Sequence, residues 1–468
     1  MDHLLLSYGG FALLSGGVFA LLPLRAAILT VFLGGWLLLP VGAYPEAAAT
    51  SGWTWWIIGL ALPSEMLVTK AWVAPMTALA WALLFDPGQL RRVRPSWLDL
   101  PLLAWCLWPL VAVQLAGAAD PAAAVSAAYL GGTWAATWAL GRLWFGDDDG
   151  RLALVKGLAL AGVACLPIAV LEGMAGPYLY QLVHGLHPFS MEGRERSFGF
   201  RPMGLLEHGN QYGIWTSLCA LAAVWLAWAR GVGGPRLLWV AVALVAVAIG
   251  VAHQSRGAVL LLAGGMALML AWRLRLTLVL LGLALLGGVA LYALHYSGAI
   301  IGFLTARGLI PAEGFLRGSP AMHELRNIAR GFGLDTLGYR IWQDLHTREL
   351  LLQAPLYGHG LWDWWRPADM RPWGLWQLIV GQFGLVGLAL ALWGWLLPAL
   401  GRLWALRGVA VRGPAGAALR LALIALLAMI DALFNSFVFF PGLLAAAAVL
   451  GAGVRPAQPV EPLQPPAG

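Results

Sequence analysis

Charged residues are scarce in this sequence. They make up 11% of its 468 residues, whereas a typical soluble domain contains roughly 25%. Hydrophobic residues make up 60% of the chain, and the mean hydropathy is +0.76. A soluble fold cannot bury so large an apolar share. The composition therefore excludes an ordinary soluble protein and indicates a membrane protein with many spanning helices.

Cysteine is also rare. The three cysteines, Cys106, Cys165 and Cys219, lie inside apolar runs rather than in loops. That placement supports neither a disulfide framework nor a cysteine-based metal site. The phosphate-binding pattern G-x-x-x-x-G-K-[ST] is missing as well, so the use of a nucleotide is not indicated. We expect neither a metal nor a cofactor.

Signs of transport and of nucleic-acid binding are sparse. The apolar runs contain no central carboxylate pair and show no clear internal repeat, which makes a transporter or flippase a less favoured alternative. The formal net charge of +7 is spread over short connections, and this distribution suits contact with membrane lipids better than with nucleic acid. No small-residue cleavage site follows the first apolar stretch, so a cleavable signal is not expected.

Long apolar runs dominate what is present. A run of about 17–25 residues can cross a bilayer as a helix, and the first 85 residues hold roughly two to four such runs. Further runs lie at 98–117, 119–144, 151–172, 210–229, 237–253, 256–272, 276–297, 373–399, 416–434 and 437–453. The sequence thus predicts an all-α, polytopic integral membrane protein with about 12 transmembrane helices, in a range of roughly 11 to 14.

Arginine and lysine fall mainly in alternate connections, which the positive-inside tendency assigns to the cytoplasm. The other connections then face outward: 173–209, 253–256, 298–372 and 434–437. The expected organisation is a set of N-terminal hairpins (1–97), a central bundle (98–297), a long outward loop (298–372), C-terminal helices (373–454) and a disordered Pro-rich tail (455–468).

The outward connections hold most of the polar side chains. The loop 298–372 contains eight arginines, against the positive-inside tendency, which indicates that an anion outside the cell rewards them. Within it, AMHELRNIAR (321–330) has the spacing of a helix with His323, Arg326 and Arg330 on one side. The alternative is a solvated helix with surface charge pairs.

Two shorter segments indicate an anion site. HQSRGA (253–258) places Arg256 at the outer end of two apolar runs, where it either faces a wet cavity or snorkels to the interface. RPMGLLEHGNQYG (201–213) brings Arg201, Glu207, His208 and Asn210 to the start of an apolar run. A helix beginning near 209–210 would add unpaired N–H groups and a positive dipole end. Arginine suits a diphosphate because it is permanently charged and bidentate.

Four segments together resemble the O-antigen ligase and O-antigen polymerase superfamily of bacterial envelope glycan assembly. They are RPMGLLEHGNQYG (201–213), SRGA (255–258), YRIWQDLHTRELLLQAPLYGHG (339–360) and IDALFNSFVFFPG (430–442). The matching positions are Arg201, Gly204, His208, Asn210, Gly213, Ser255, Arg256, Gly257, Ala258, Arg340, Trp342, Pro355, Gly358 and Gly360. The resemblance covers roughly 195–450 and rests on the order of these motifs.

The resemblance implies an inverting, metal-independent glycosyltransferase of the bacterial inner membrane. Such proteins take a glycan from undecaprenyl pyrophosphate at the periplasmic face and transfer it to an acceptor hydroxyl. The acceptor is another lipid-linked repeat unit in polymerases and the lipid A core in ligases. The implied partners are the lipid-linked donor, an acceptor glycan or glycolipid, membrane lipids and, for a polymerase, a chain-length regulator, but no nucleic acid. Arg201 and Arg256 match the family's pyrophosphate-binding arginines, and the wider substrate-binding set comprises Arg326, Arg340, Arg371, Asn210 and Trp373.

The family's catalytic histidine is missing. In the family it stands before one Asn, Ser or Gln, nine residues and G-x-x-G, and counting back from Gly384 and Gly387 places Trp373 there. Since tryptophan cannot accept a proton, a shifted base is one reading, with His359 the first choice and His208, Glu207 or Asp363 behind it. A second reading needs only arginine clamps and positioning, and a third is a catalytically silent subunit of a polysaccharide export system. We favour a polymerase over a ligase because the ligase-type histidine is missing.

Overall fold

Helix is the dominant secondary structure, as the apolar runs predict. The computed structural model describes residues 2–41, 68–92, 96–117, 122–185, 195–196, 199–273, 299–308, 347–368, 372–406 and 412–451, with isolated residues between 279 and 297. The only β-structure in these ranges is an antiparallel pairing of β1 (Glu195–Arg196) with β2 (Gly199–Phe200).

The helices before β1 are α1 (Asp2–Leu21), α2 (Leu24–Leu38), α3 (Lys70–Phe85), α4 (Gln89–Arg92), α5 (Leu100–Leu115), α6 (Ala122–Leu130), α7 (Ala136–Trp144), α8 (Asp148–Ala164), α9 (Leu166–Ala175) and α10 (Leu179–His184). A 3-10 turn, Trp97–Asp99, precedes α5, and a π-helical turn, Gly131–Ala135, joins α6 to α7.

The helices after β2 are α11 (Gly209–Trp228), α12 (Arg236–Ala252), α13 (Arg256–Arg273), α14 (Ala299–Ala306), α15 (Arg348–Gln353), α16 (Leu375–Ala405), α17 (Gly416–Ala432) and α18 (Phe440–Leu450). A 3-10 turn, Arg366–Ala368, precedes α16. The predicted stretch 298–372 is therefore not a plain loop, because α14 and α15 lie within it.

Four helices of the described ranges are long and apolar enough to cross a membrane: Leu4–Leu21, Trp97–Leu115, Asp148–Ala175 and Leu375–Ala405. Five further apolar helices are 10–17 residues long. The expected 12 spans are thus not reached in the part of the chain that the structure describes. One reason is that apolar runs include turn residues. The run 437–453, for example, is helical only over Phe440–Leu450, between non-helical backbone at Phe439 and Gly451.

The centre of the bundle is α11. It is buried on nearly every face and packs against α8, α12 and α17, as expected of a helix that is apolar all round. α17 is similarly enclosed and packs against α16 and α18. α11 and α16 begin at one end of the bundle, whereas α17 ends there. We call this the site end and the other the opposite end.

α16 is broken at Gly384, which has a φ of +72°. A turn from the preceding segment fills the break. Leu385 and Val386 donate their backbone N–H groups to the carbonyls of Pro355 and Leu356, at 2.8 and 3.3 Å. The backbone N–H groups of His359 and Gly360 donate to the carbonyls of Gly381 and Gln382, at 2.8 and 3.0 Å, and Trp108 Nε1 donates to the Phe383 carbonyl at 2.8 Å. The freed backbone groups are thereby hydrogen-bonded within the protein, as a membrane environment requires.

Candidate functional site

Arg201 lies against the N-terminus of α11. His208 is the N-cap, and its Nδ1 accepts the backbone N–H of Asn210 at 3.0 Å. Gly209 leaves room for the arginine, because a Cβ there would lie 2.7 Å from Arg201 Nε. The Arg201 guanidinium donates to Asn210 Oδ1. The predicted helix start near 209–210 is confirmed, and a cation lies beside it.

Asn210 connects three separate segments. Its Oδ1 also accepts from Ser255 Oγ at 3.3 Å, and its Nδ2 donates to Asn435 Oδ1 at 3.1 Å. Asn435 Nδ2 in turn donates to Asp431 Oδ1 at 2.8 Å. We call Arg201, Asn210, Ser255, Asn435 and Asp431 the site-end network. It joins three of the segments singled out in the sequence, 201–213, 253–258 and 430–442.

His253 fixes the turn that carries Ser255. Its Nδ1 accepts the Ser255 N–H at 2.8 Å, so the neutral ring bears its proton on Nε2, which lies 3.2 Å from Ser217 Oγ. Complete burial, together with the positive charge of Arg201, lowers the pKa of His253 to about 4. The ring is therefore neutral at pH 7. Sequence reasoning missed this residue, although it opens the HQSRGA motif.

Arg256 is the first residue of α13 and is exposed. Its neighbour Ser255 belongs to the site-end network, whereas its own guanidinium forms no ion pair with a carboxylate in the described ranges. An exposed, uncompensated cation at a helix N-terminus favours an anionic ligand.

Glu207 is held by a buried lysine. Its Oε1 lies 3.1 Å from Lys70 Nζ, and both side chains are fully buried. Lys70 Nζ also donates to the Leu205 carbonyl at 3.0 Å, which ties α3 to the segment before α11. Of the candidate bases, Glu207 is consequently poorly placed to meet an acceptor hydroxyl, because its carboxylate is enclosed and paired.

His359 lines a cleft of about 530 Å³. Its ring stacks on Trp364, with centroids 5.9 Å apart and planes 4° apart. Its Nε2 lies 2.8 Å from the Leu350 carbonyl, which can only accept, so Nε2 carries the proton. The cleft also contains an ion pair between Arg366 Nε and Asp363 Oδ2 at 2.8 Å. Its lining residues are Leu350, Gln353, His359, Leu361, Asp363, Trp364, Arg366 and Pro367.

The two candidate histidines differ in the nitrogen they leave open. Nδ1 of His208 already accepts a backbone N–H. Nδ1 of His359 has no hydrogen bond within the described ranges, because only its Nε2 is engaged. His359 therefore retains a lone pair that can accept a proton.

The outer half of α16 links the cleft to the site-end network. The Asn435 carbonyl accepts the Leu375 N–H at 3.2 Å, and the Gly381 carbonyl accepts the His359 N–H at 2.8 Å. Leu375 and Gly381 are separated by about 9 Å along the helix axis. Trp373 is half-buried just before this half-helix, next to Gly374, where a Cβ would lie 2.9 Å from the Leu433 carbonyl.

Three predicted substrate-binding arginines, Arg326, Arg340 and Arg371, lie outside the described residues, as does the segment 321–330. Within the described residues, no group of three or more His, Cys, Asp or Glu side chains could hold a metal ion. The structure thus brings together Arg201, His208 and Asn210, and it places His359 in a separate cleft on the same half-helix.

No protein-family model matches the chain, and no curated protein matches it either. The likeness to the O-antigen ligase and polymerase superfamily therefore rests on the residues and their order.

Proposed function

We propose that this protein is a metal-independent, inverting glycosyltransferase that polymerises glycan repeat units from undecaprenyl pyrophosphate. It spans the bacterial inner membrane many times, with the site end facing the periplasm. The observation that carries the proposal is the site-end network, in which three motifs distant in sequence meet around Arg201 and Asn210.

The chemistry at the site end is stabilisation of a leaving diphosphate. Negative charge develops on this group as the glycosidic bond breaks, and fixed cations in a partly desolvated site lower the barrier. Arg201 is half-buried against one helix N-terminus, and Arg256 begins another helix. Asn210 Oδ1 orients the Arg201 guanidinium, so the cation is held in place before the donor binds.

His359 is the base in this proposal, acting through Nδ1. A contact between arginine and phosphate, one between the anomeric carbon and the acceptor oxygen, and one between that oxygen and the base each measure about 3 Å, so together they span about 9 Å. That length matches the rise from Leu375 to Gly381 along α16. Trp373, where the family has its histidine, serves as a wall for the bound glycan.

The test uses purified protein in lipid nanodiscs with an undecaprenyl-pyrophosphate-linked repeat unit as donor. Arg201→Ala and Arg256→Ala are each expected to reduce glycan elongation by about 10²–10³-fold. Arg25→Ala is the matched control, because Arg25 forms an exposed pair with Asp147 at 2.5 Å near the opposite end. Normal elongation by both site-end variants would disprove the assignment of these arginines.

The product distinguishes the two enzymatic alternatives. Longer lipid-linked glycan indicates a polymerase, whereas transfer to a lipid A core acceptor indicates an O-antigen ligase. His359→Ala tests the base: full activity of this variant would rule out His359 and leave arginine positioning as the source of catalysis.

A catalytically silent subunit is the second candidate. It is favoured by the enclosure of Glu207 and by Trp373, which provides no proton acceptor. This candidate predicts that the wild-type protein binds the lipid-linked donor without turnover and that Arg201→Ala weakens that binding.

A further inference from the structure

The opposite end of the bundle carries four cations from three segments. Lys156 lies on α8, Arg230 and Arg236 flank the connection from α11 to α12, and Arg412 precedes α17. Arg230 and Arg236 are exposed, and Lys156 and Arg412 are half-buried. We call these four residues the opposite-end basic patch.

Contacts between the segments hold the patch together. The Arg230 backbone N–H donates to the Arg412 carbonyl at 2.6 Å. A Cβ at Gly233, in the α11–α12 connection, would lie 3.6 Å from Lys156 Nζ. The patch is therefore a defined surface rather than a set of unrelated basic residues.

Two of the cations rest on tryptophan rings. The Arg412 guanidinium lies 4.8 Å from the centroid of Trp228, and Lys156 Nζ lies 5.9 Å from that of Trp239. Trp239 is fixed by a hydrogen bond from its Nε1 to the Gly233 carbonyl at 2.8 Å. A cation over an aromatic face keeps its charge while its side chain loses freedom, so these two groups are ordered in advance of any ligand.

The patch lacks acidic partners. The connections 229–236 and 412–416 read ARGVGGPR and RGPAG, without a carboxylate. None of the four cations forms an ion pair within the described ranges, whereas Arg25, Arg142 and Arg151, on neighbouring helices, each pair with an aspartate. Four uncompensated cations beside tryptophans, at the end of an apolar bundle, match the requirements of a lipid phosphate at the membrane interface.

We propose that the opposite-end basic patch is a binding site for the phosphate headgroups of anionic phospholipids in the adjacent leaflet. Arg230 and Arg412 hold the phosphate, because guanidinium groups donate two parallel hydrogen bonds to phosphate oxygens. Lys156 and Arg236 add charge at the rim. The site does not depend on the proposed transferase activity.

The experiment titrates phosphatidylglycerol into the detergent-solubilised full chain and counts bound lipids by native mass spectrometry. Phosphatidylcholine is the neutral comparison. Each cation near an anionic surface contributes about fivefold in affinity, so the double variant Arg230→Ala/Arg412→Ala is expected to bind phosphatidylglycerol about 25-fold more weakly. Arg25→Ala, which removes a paired arginine, should change the affinity by less than about twofold.

Two further arms separate other causes. Arg230→Lys/Arg412→Lys retains the charge and should recover most of the affinity, which distinguishes loss of the site from misfolding. Inorganic phosphate should not displace bound phosphatidylglycerol. Equal binding of phosphatidylcholine and phosphatidylglycerol, unchanged binding by the alanine double variant, or displacement by inorganic phosphate would each overturn the proposal.

Discussion

The two ends of this bundle use arginine in different ways. At the site end, Arg201 is part of a chain of side-chain hydrogen bonds through Asn210 and Asn435 to Asp431. At the opposite end, Arg412 lies over a tryptophan ring without a carboxylate partner in the described ranges. A hydrogen-bonded cation is fixed in direction and suits recognition of one group in one geometry. A cation over a ring is fixed only in position and suits a phosphate that arrives from the lipid in many orientations.

The largest difference is expected along α16 itself. Gly384→Ala should lower the free energy of unfolding by about 3–5 kcal/mol, because a Cβ there would lie 2.0 Å from the Leu356 carbonyl, at a φ of +72°. Gly401→Ala, near the opposite end of the same helix, has no atom within 4 Å of the new Cβ and should be neutral or slightly stabilising. Thermal melting in detergent measures both. Equal melting temperatures would show that the break is dispensable.

Ion pairs at the two ends should differ almost as much. Lys70→Met leaves the fully buried Glu207 carboxylate without its partner, at an expected cost of about 3–5 kcal/mol. Arg25→Met removes a pair whose side chains are 35% and 62% exposed, at an expected cost of less than about 1 kcal/mol. The same melting assay compares them, and Lys70→Met with Glu207→Leu should recover part of the loss. A harmless Lys70→Met would contradict the anchoring role of this pair.

Activity should separate the ends by about two orders of magnitude. Arg201→Ala removes a cation that stabilises the leaving diphosphate, so turnover of the lipid-linked donor should fall about 10²-fold or more. Arg412→Ala, in phosphatidylcholine nanodiscs, should leave turnover within about twofold because its role is lipid contact. The ratio of the two rates is the measurement. Equal losses would indicate that the opposite end belongs to the reaction.

Acid should weaken the site end first. The pKa of His253 is about 4 in the folded protein and 6.5 without the fold, so between these values the unfolded chain binds more protons. Stability is therefore full above pH 6.5 and falls as the pH drops toward 4, by up to about 3 kcal/mol. Melting temperature against pH reports this slope. His253→Asn, which keeps an acceptor for the Ser255 N–H, should lose the slope. An unchanged slope would assign it to other groups.

Local patterns in the sequence anticipated a good part of this structure. The helical class and the helix start at 209–210 follow from apolar runs and from a polar segment before one of them. The approach of Arg201 to Asn210 follows in part from their closeness in sequence. Asn435 and His253 could not be assigned in the same way, because their roles depend on which helix ends meet in space.

The failures have a common physical origin. Composition counts apolar residues but does not show where a helix stops, so the number of spans was overestimated. Gly384 was read as a residue for close helix packing, whereas it breaks the helix. Gly387, three residues on, does pack closely, since a Cβ there would lie 3.1 Å from Trp108. The pairing of Lys70 with Glu207 joins residues 137 positions apart in the chain, and nothing local in either segment specifies it.

The closure of the break in α16 by the turn at 355–360 has a consequence for biogenesis. Five backbone groups around Gly384 find their partners outside α16, in that turn and in Trp108. Exposed to hydrocarbon, each such group costs several kcal/mol, so α16 alone would be a poor substrate for insertion into the bilayer. The segment before α16 must therefore dock during insertion rather than afterwards. A chain cut between Gly360 and Leu375 would have to reassemble both pieces before either became stable in the membrane.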